Sequence, residues 1–466
     1  MIKGFTRFLQ SPGQHLKSLF GPQDAPAGST GPRIIPRQEH PVSRQHFSDA
    51  SLKVLYRLHN AGFQAFLVGG CIRDSLLGHM PKDFDVATDA TPEQVRELFR
   101  NSRIIGRRFR IVHVRFGREV IEVTTFRGKP NDDHADHISQ QSDDGLLLRD
   151  NVWGNLEEDA LRRDFTVNAL YYNIADFSIH DFADGVKDIE SRTLRLIGDP
   201  ATRYREDPVR MLRAVRFAAK LDFHLDPATE APIDEAAPLL LQIPPARLFD
   251  EVLKLFMAGH GVVTFRLLRQ YGLFAMLFPE ADEAMDALPW AERLVEHALE
   301  STDRRIREDR PVTPAFLFAA LLWAPVQQRQ VRLEDDGMPA IPALQAASQQ
   351  VVSRQLQHIT IPKRFSLPMR DIWDLQQRLP LRRGKRVFQT REHPRFRAAY
   401  DFLLVREAAG ELEPGLGDWW TAFQDADEHE QRRLLGKVDA DPAGTPAPRN
   451  KRRRRRRRRK PSNNDS

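Results

Sequence analysis

Leu67-Val68-Gly69-Gly70-Cys71-Ile72-Arg73-Asp74-Ser75-Leu76-Leu77-Gly78, followed two residues later by Pro81-Lys82-Asp83-Phe84-Asp85-Val86-Ala87-Thr88, is the stretch that decides the fold of the N-terminal half. It reads as strand, glycine turn, helix, strand. Two glycines after an apolar strand let a backbone approach a triphosphate closely, and the helix behind them turns its free N–H groups toward that anion. Arg73 adds a positive charge one turn into the helix. On the second strand side chains alternate, so Phe84 and Val86 face a core while Asp83 and Asp85 project together from the other face. Two carboxylates in one small space repel, and the compensation that makes chemical sense is divalent metal held on oxygen ligands. A D-x-D alone is a weak signal; placed behind a glycine turn and a helix it becomes a specific one.

Working outward, Phe47 begins a helix through Leu52, Val54, Leu55 and Leu58, ending near Gly62 before the strand at Phe66–Val68. Further strand signals lie at Ile111–Phe116 and Val120–Phe126, and the polar stretch Lys129–Asp144 reads as a flexible loop. From about Asp207 helical spacing takes over, as in Val209, Leu212, Val215 and Ala219, then Leu248, Val252, Leu253 and Phe256. The expected divisions are a disordered leader over 1–47, an α/β head with a small mixed sheet over 48–200, a helical neck over 201–275, a helical body over 276–437 and a disordered polybasic tail over 438–466.

At 466 residues the chain is long enough for several cores, and at 41% hydrophobic residues it has no apolar run of membrane-spanning length. The N-terminus lacks the apolar stretch of a secretory signal, and the single cysteine, Cys71, excludes an intramolecular disulfide. A cytoplasmic protein is therefore expected. The net charge is +6, but Lys451–Lys460 alone carries ten positive charges, without which the balance would be 6 − 10 = −4. Such a tail suits a polyanion through counterion release: RNA first, then an acidic protein, then an anionic membrane surface. The segment Ile361–Glu407 holds twelve lysines and arginines against five acids, interleaved with Phe365, Trp373, Phe388, Phe396 and Tyr400. It is a second RNA-binding candidate, centred on Arg382, Arg383, Lys385 and Arg386, with Arg452 and Arg453 in the tail.

Two residues compete for a third acidic position beside Asp83 and Asp85. Glu122 lies in the strand-like run Val120–Phe126, where the bland reading is an edge-strand surface glutamate. Asp164, in Arg162-Arg163-Asp164-Phe165-Thr166, has as its bland reading a helix N-cap. His113 and the other histidines read as packed or hydrogen-bonded residues, and Cys71 as a small packed side chain.

Taken together, the Gly-Gly-x-x-Arg-Asp turn, the Asp83/Asp85 pair, Arg162–Thr166 and Glu206-Asp207-Pro208-Val209-Arg210 resemble the class II nucleotidyltransferases, which include bacterial poly(A) polymerases and CCA-adding enzymes. The resemblance covers roughly residues 60–270. It implies metal binding by Asp83 and Asp85, Mg2+ as the cofactor in a two-metal site, and ATP as substrate near Gly69, Gly70, Arg73 and Arg163. It also implies that Asp207 and Arg210 select the incoming base, a carboxylate accepting from an amine while an arginine donates to a ring nitrogen. Arg210, Arg213 and Arg216, three residues apart on one helical face, would grip phosphates.

Within that family, Ile104–His113 resembles the stretch that tells bacterial poly(A) polymerases from their tRNA-modifying relatives, and the arginine-rich C-terminus points the same way. No His-Asp dyad of an appended phosphohydrolase domain is evident. The expected activity is template-independent addition of adenylates to RNA 3′ ends, with RNA-decay or RNA-chaperone proteins as candidate partners. A CCA-adding enzyme and a non-catalytic RNA-binding adaptor are the alternatives; intact Asp83, Asp85 and Arg73 argue against the second.

Overall fold

The strand signals converge on one eight-stranded mixed sheet. In a computed structural model that describes residues 31–106, 110–128, 139–141, 147–150 and 152–440, its strands are β1 (Arg33–Ile35), β2 (Ala65–Val68), β3 (Asp85–Thr88), β4 (Ser102–Ile105), β5 (Ile111–Phe116), β6 (Glu119–Thr125), β9 (Leu170–Asn173) and β10 (Ile179–Asp181). A separate pair, β7 (Ser139–Gln141) and β8 (Leu147–Asp150), lies between β6 and β9 in the chain. The spatial order is β1-β10-β9-β2-β3-β6-β5-β4, and β3 runs parallel to β6 while the other neighbours are antiparallel.

Alternation along the central strands sorts the side chains. Leu67, Val86, Val112, Val114, Ile121 and Val123 are buried on one face, which packs under helices α1 (Asp49–Asn60) and α3 (Pro92–Leu98). On the opposite face Phe66, Val68, Ala87 and Tyr171 form a cluster with Phe126 and Ala160 of helix α4 (Leu156–Leu161). Between β2 and β3 sits the short helix α2 (Gly70–Leu76), entered through Gly69 at φ +79°, a conformation that a side-chain-bearing residue adopts only under strain. Helices α5 (Gly185–Glu190), α6 (Pro200–Glu206), α7 (Val209–Leu221), α8 (Pro245–Phe256) and α9 (Gly261–Gln270) follow.

Two expectations are corrected. The leader is not structureless as far as residue 47: β1 pairs with β10, and Ile35 and Val42 are fully buried. Its apolar residues, Ile35, Val42 and Phe47, are spaced too irregularly to give a periodic signal, so only the free edge of β10 reveals the strand. Likewise part of the polar stretch read as a loop pairs as β7 with β8. Residues 441–466, which hold most of the expected tail with Arg452 and Arg453, and Arg107–Phe109 lie outside the described residues.

The described chain divides into two compact units. The first runs through Asp286 and takes in Leu299–Val312 and Val352–Ile361, so head and neck segments belong to one body. The second comprises Ala287–Ala298, Thr313–Val351 and the chain from Pro362. It is helical, with a core of Leu375, Leu379, Val387, Tyr400, Leu403, Trp420 and Phe423. A buried Arg406–Glu411 pair there is completed by Gln376 and by the Trp323 indole, which leaves neither charge unmet. Among the described residues no helix is long and apolar enough to cross a membrane.

Candidate active site

The open part of the sheet face that carries Asp85 borders a cavity of about 690 Å3, of the size that takes a nucleotide. Its lining includes Gly69, Gly70, Arg73, Asp74, Lys82, Asp83, Asp85, Arg163, Asp164, Arg213, Arg216 and Lys220. Asp85 opens β3, whereas Asp83 lies just before the strand and is exposed. The ordinary β alternation nevertheless holds, because Phe84 between them and Val86 after Asp85 are buried.

Strand register settles what stands beside Asp85. Glu122 is its direct partner across the parallel β3–β6 pair, and β6 is an interior strand, so the edge-strand reading of Glu122 does not apply. The Asp85 carboxyl is pushed up to about 6, first by burial, then by the charge of Glu122, with Asp83 adding and Arg163 working against both. Glu122 and Asp83 thus both add negative charge beside Asp85, although Glu122 does not itself line the cavity. Among the described residues no three His, Cys, Asp or Glu side chains close around a common metal position.

Asp164 does different work. Its Oδ2 accepts from Arg213 Nε at 2.7 Å and Nη2 at 2.5 Å, and its Oδ1 accepts from the Phe165 amide at 2.8 Å and from Asn168 at 3.2 Å. Burial alone would raise this carboxyl; the Arg213 charge and these bonds outweigh it and hold the group down at about 2. Asp164 is not a helix N-cap: the following 3-10 turn, Thr166–Asn168, is capped at Phe165. It fastens α7 to the connection between α4 and β9 through an ion pair that spans 49 residues of sequence.

Arginines meet the acids in two ways. Arg73 is buried and committed: its Nε and Nη2 donate to Asp74 Oδ1 at 2.8 and 2.6 Å, and its Nη1 donates to Asn168 at 2.5 Å. It braces the glycine turn more than it reaches outward. Arg163 is steered by Tyr171 (2.7 Å) and Asp159 (3.3 Å) and lies 3.6 Å from the position a Gly69 side chain would take. Arg216 stacks over Phe217 at 4.7 Å, and its buried Nε has no hydrogen-bond partner. Lys220 Nζ stands 3.6 Å from Asp74. Of the four lining carboxylates, two are matched by Arg73 and Arg213, so the Asp83/Asp85 pair faces a wall with cationic charge to spare.

The base-selecting candidates lie outside this lining. Arg210 donates to the Arg203 carbonyl at 2.7 Å and to Glu206 at 2.9 Å, while Asp207 Oδ2 accepts from Arg247 at 2.8 Å. The buried Asp207 Oδ1 and Arg247 Nη1 remain without partners, an acceptor and a donor on the same ion pair. In the second unit Arg382 covers the Trp419 ring at 5.4 Å, and Arg383, Lys385 and Arg386 are exposed. The sequence reading missed Asp159, Asn168, Tyr171 and Arg247. Each acts through a partner remote in sequence or a packed ring, and no local motif marks it.

Three family models match the chain: the poly A polymerase head domain over residues 65–195, the probable RNA and SrmB-binding site of polymerase A over 222–285, and the polymerase A arginine-rich C-terminus over 336–460. Poly(A) polymerase I of Salmonella typhimurium is 50% identical over 432 residues, 90% of each chain. The CCA-adding enzyme of Lactobacillus helveticus is 38% identical over 220 residues, 47% of this chain and 52% of its own. Among solved structures, the Bacillus stearothermophilus CCA-adding enzyme in complex with CTP superposes with a TM-score of 0.52 at 26% identity, covering 86% of this chain and 85% of its own. Sequence similarity to the Lactobacillus helveticus enzyme covers about half of this chain, whereas sequence similarity to the Salmonella polymerase covers 90% of it at 50% identity and the arginine-rich C-terminal model matches as well, so this chain belongs to the poly(A) polymerase family.

Proposed function

We propose that this chain adds AMP from ATP to RNA 3′ ends without a template, at the sheet face bearing Asp83, Asp85 and Glu122. The observation that carries the reading is the register of Asp85 against Glu122 beside a cavity walled by Arg163, Arg213, Arg216 and Lys220. Concentrated carboxylates with hard oxygen donors fit Mg2+ at Asp83 and Asp85, and the raised Asp85 carboxyl supports that fit. Bound there, two such ions would favour ionisation of the RNA 3′ hydroxyl and neutralise charge on the leaving pyrophosphate.

The chain's own residues supply the rest. The Gly69–Gly70 turn lets backbone approach the triphosphate, and Arg163, Arg216 and Lys220 offer it positive charge. Arg73 and Asn168 hold the turn in shape, and the Asp164–Arg213 pair fixes α7, so the arginines need no rearrangement when the nucleotide enters. Asp164 is therefore assigned a positioning role, and Glu122 the third acidic place.

Base choice is assigned to Asp207 and Arg210 on the strength of the Glu206–Arg210 motif; Asp207 Oδ1 is an acceptor without a partner, of the kind a base amino group would satisfy, although neither residue lines the cavity. Arg382, Arg383, Lys385, Arg386 and the 451–460 run are assigned to holding RNA by its phosphates, which gives affinity without sequence choice. The test is to offer each nucleoside triphosphate separately on an unstructured oligoribonucleotide and on a tRNA lacking its 3′ end. Adenylate runs on both substrates are expected; CTP-dependent addition confined to the tRNA would support a CCA-adding enzyme instead.

A further inference from the structure

The sheet register extends the acidic row by two residues. Glu122 is paired with His113 on β5, and His113 with Arg103 on β4, so Arg103, His113, Glu122 and Asp85 stand side by side across four strands. They share one face, because their neighbours Val112, Val123 and Val86 are buried on the other. His113 Nε2 lies 3.2 Å from Glu122 Oε1. That nitrogen is buried and has no other partner; the contact is within ion-pair reach but off the line of a good hydrogen bond.

Glu122 needs such a neighbour. Its side chain is 48% exposed, carries three rotatable bonds and has a like charge beside it in Asp85. Left alone, it gains by swinging away from Asp85 into water. A histidine ring on the neighbouring strand, 29% exposed, has few rotamers of its own. With Nε2 protonated it offers a donor on the side of Glu122 away from Asp85.

We propose that His113 is a positioning residue for the acidic centre, keeping the Glu122 carboxylate in the row beside Asp85. This rests on the assignment of Glu122 to that centre made above.

The test compares His113→Leu, which keeps bulk and removes the donor, with His113→Gln, which returns an N–H at similar reach. For His113→Leu, kcat for adenylate addition is expected to fall about tenfold, as for groups that orient ligating side chains, with KM for ATP and RNA within about twofold. His113→Gln should recover most of the loss, and the urea midpoints of both variants should match the parent. Independently of turnover, Mn2+ titrated into the nucleotide-free protein should bind about tenfold more weakly to His113→Leu, and the substitution should add nothing in a Glu122→Gln background. Unchanged kcat and Mn2+ affinity in His113→Leu, or an equal loss in the Glu122→Gln background, would overturn the proposal. If the parent adds no adenylate at all, the reading of the site fails, and the Mn2+ titration alone then decides the role of His113.

Discussion

Replacing Asp85 by asparagine is expected to make the protein more stable and inactive at once. The Asp85 carboxyl is raised from 3.8 to about 6, first by burial and then by Glu122. At roughly 1.4 kcal/mol per unit, a shift of about two units makes the ionised group cost about 3 kcal/mol of stability at neutral pH, an upper figure because solvent in the open cavity screens part of it. The sign follows from proton binding. Below about pH 4 the carboxyl is protonated folded and unfolded, and no charge-linked cost exists; between about 4 and 6 the folded state holds the proton more tightly, so stability falls as pH rises; above 6 the full cost is present. Urea unfolding of the parent and Asp85→Asn from pH 4 to 7.5 is the assay. Asp85→Asn should be more stable by about 1–3 kcal/mol at pH 7.5, with the difference shrinking toward zero near pH 4. A variant no more stable than the parent at pH 7.5, or a gap that does not change with pH, would refute the claim that this site stores electrostatic strain.

Other substitutions separate the roles. Arg213→Ala leaves the buried Asp164 carboxylate without its main partner and is expected to lower unfolding free energy by about 3 kcal/mol in urea. Because Asp164 is held down at about 2, the stability its ion pair gives the parent is fully present above about pH 4 and disappears as pH falls through 2, which acid titration followed by circular dichroism reads. Asp207→Asn should relax the preference for ATP over the other nucleotides, read as the ratio of kcat/KM values, while the long-oligonucleotide KM stays within about twofold. Removal of Lys451–Lys460 should weaken RNA binding and flatten the slope of log affinity against log salt, leaving the ATP KM unchanged.

Much of the head is visible in the sequence because its strands alternate cleanly. Ile111–Phe116 is bounded as its pattern indicates, and Val120–Phe126 is displaced by one residue. Asp83 and Asp85 also follow from alternation, although Asp83 precedes the strand itself. What a single sequence withholds is pairing between strands. Whether Glu122 sits at an edge or beside Asp85 depends on β3 running parallel to β6, which no local pattern states. Asp164 looks like a cap until Arg213 arrives from 49 residues away. The Arg33–Ile35 strand is hidden for the same reason, since three residues gain their place only from the edge of β10. His113, read as an ordinary packed histidine, acquires a neighbour of consequence only when β5 is laid against β6.

The most direct measurement is extension of a 5′-labelled oligoribonucleotide with magnesium and each nucleoside triphosphate in turn, by the parent and by the double variant Asp83→Ala, Asp85→Ala. A long ladder with ATP alone, absent from the double variant while its circular dichroism spectrum is unchanged, is the expected result. A parent protein that extends RNA with no nucleotide, or a double variant that still polymerises, would contradict the assignment of adenylate transfer to this carboxylate pair.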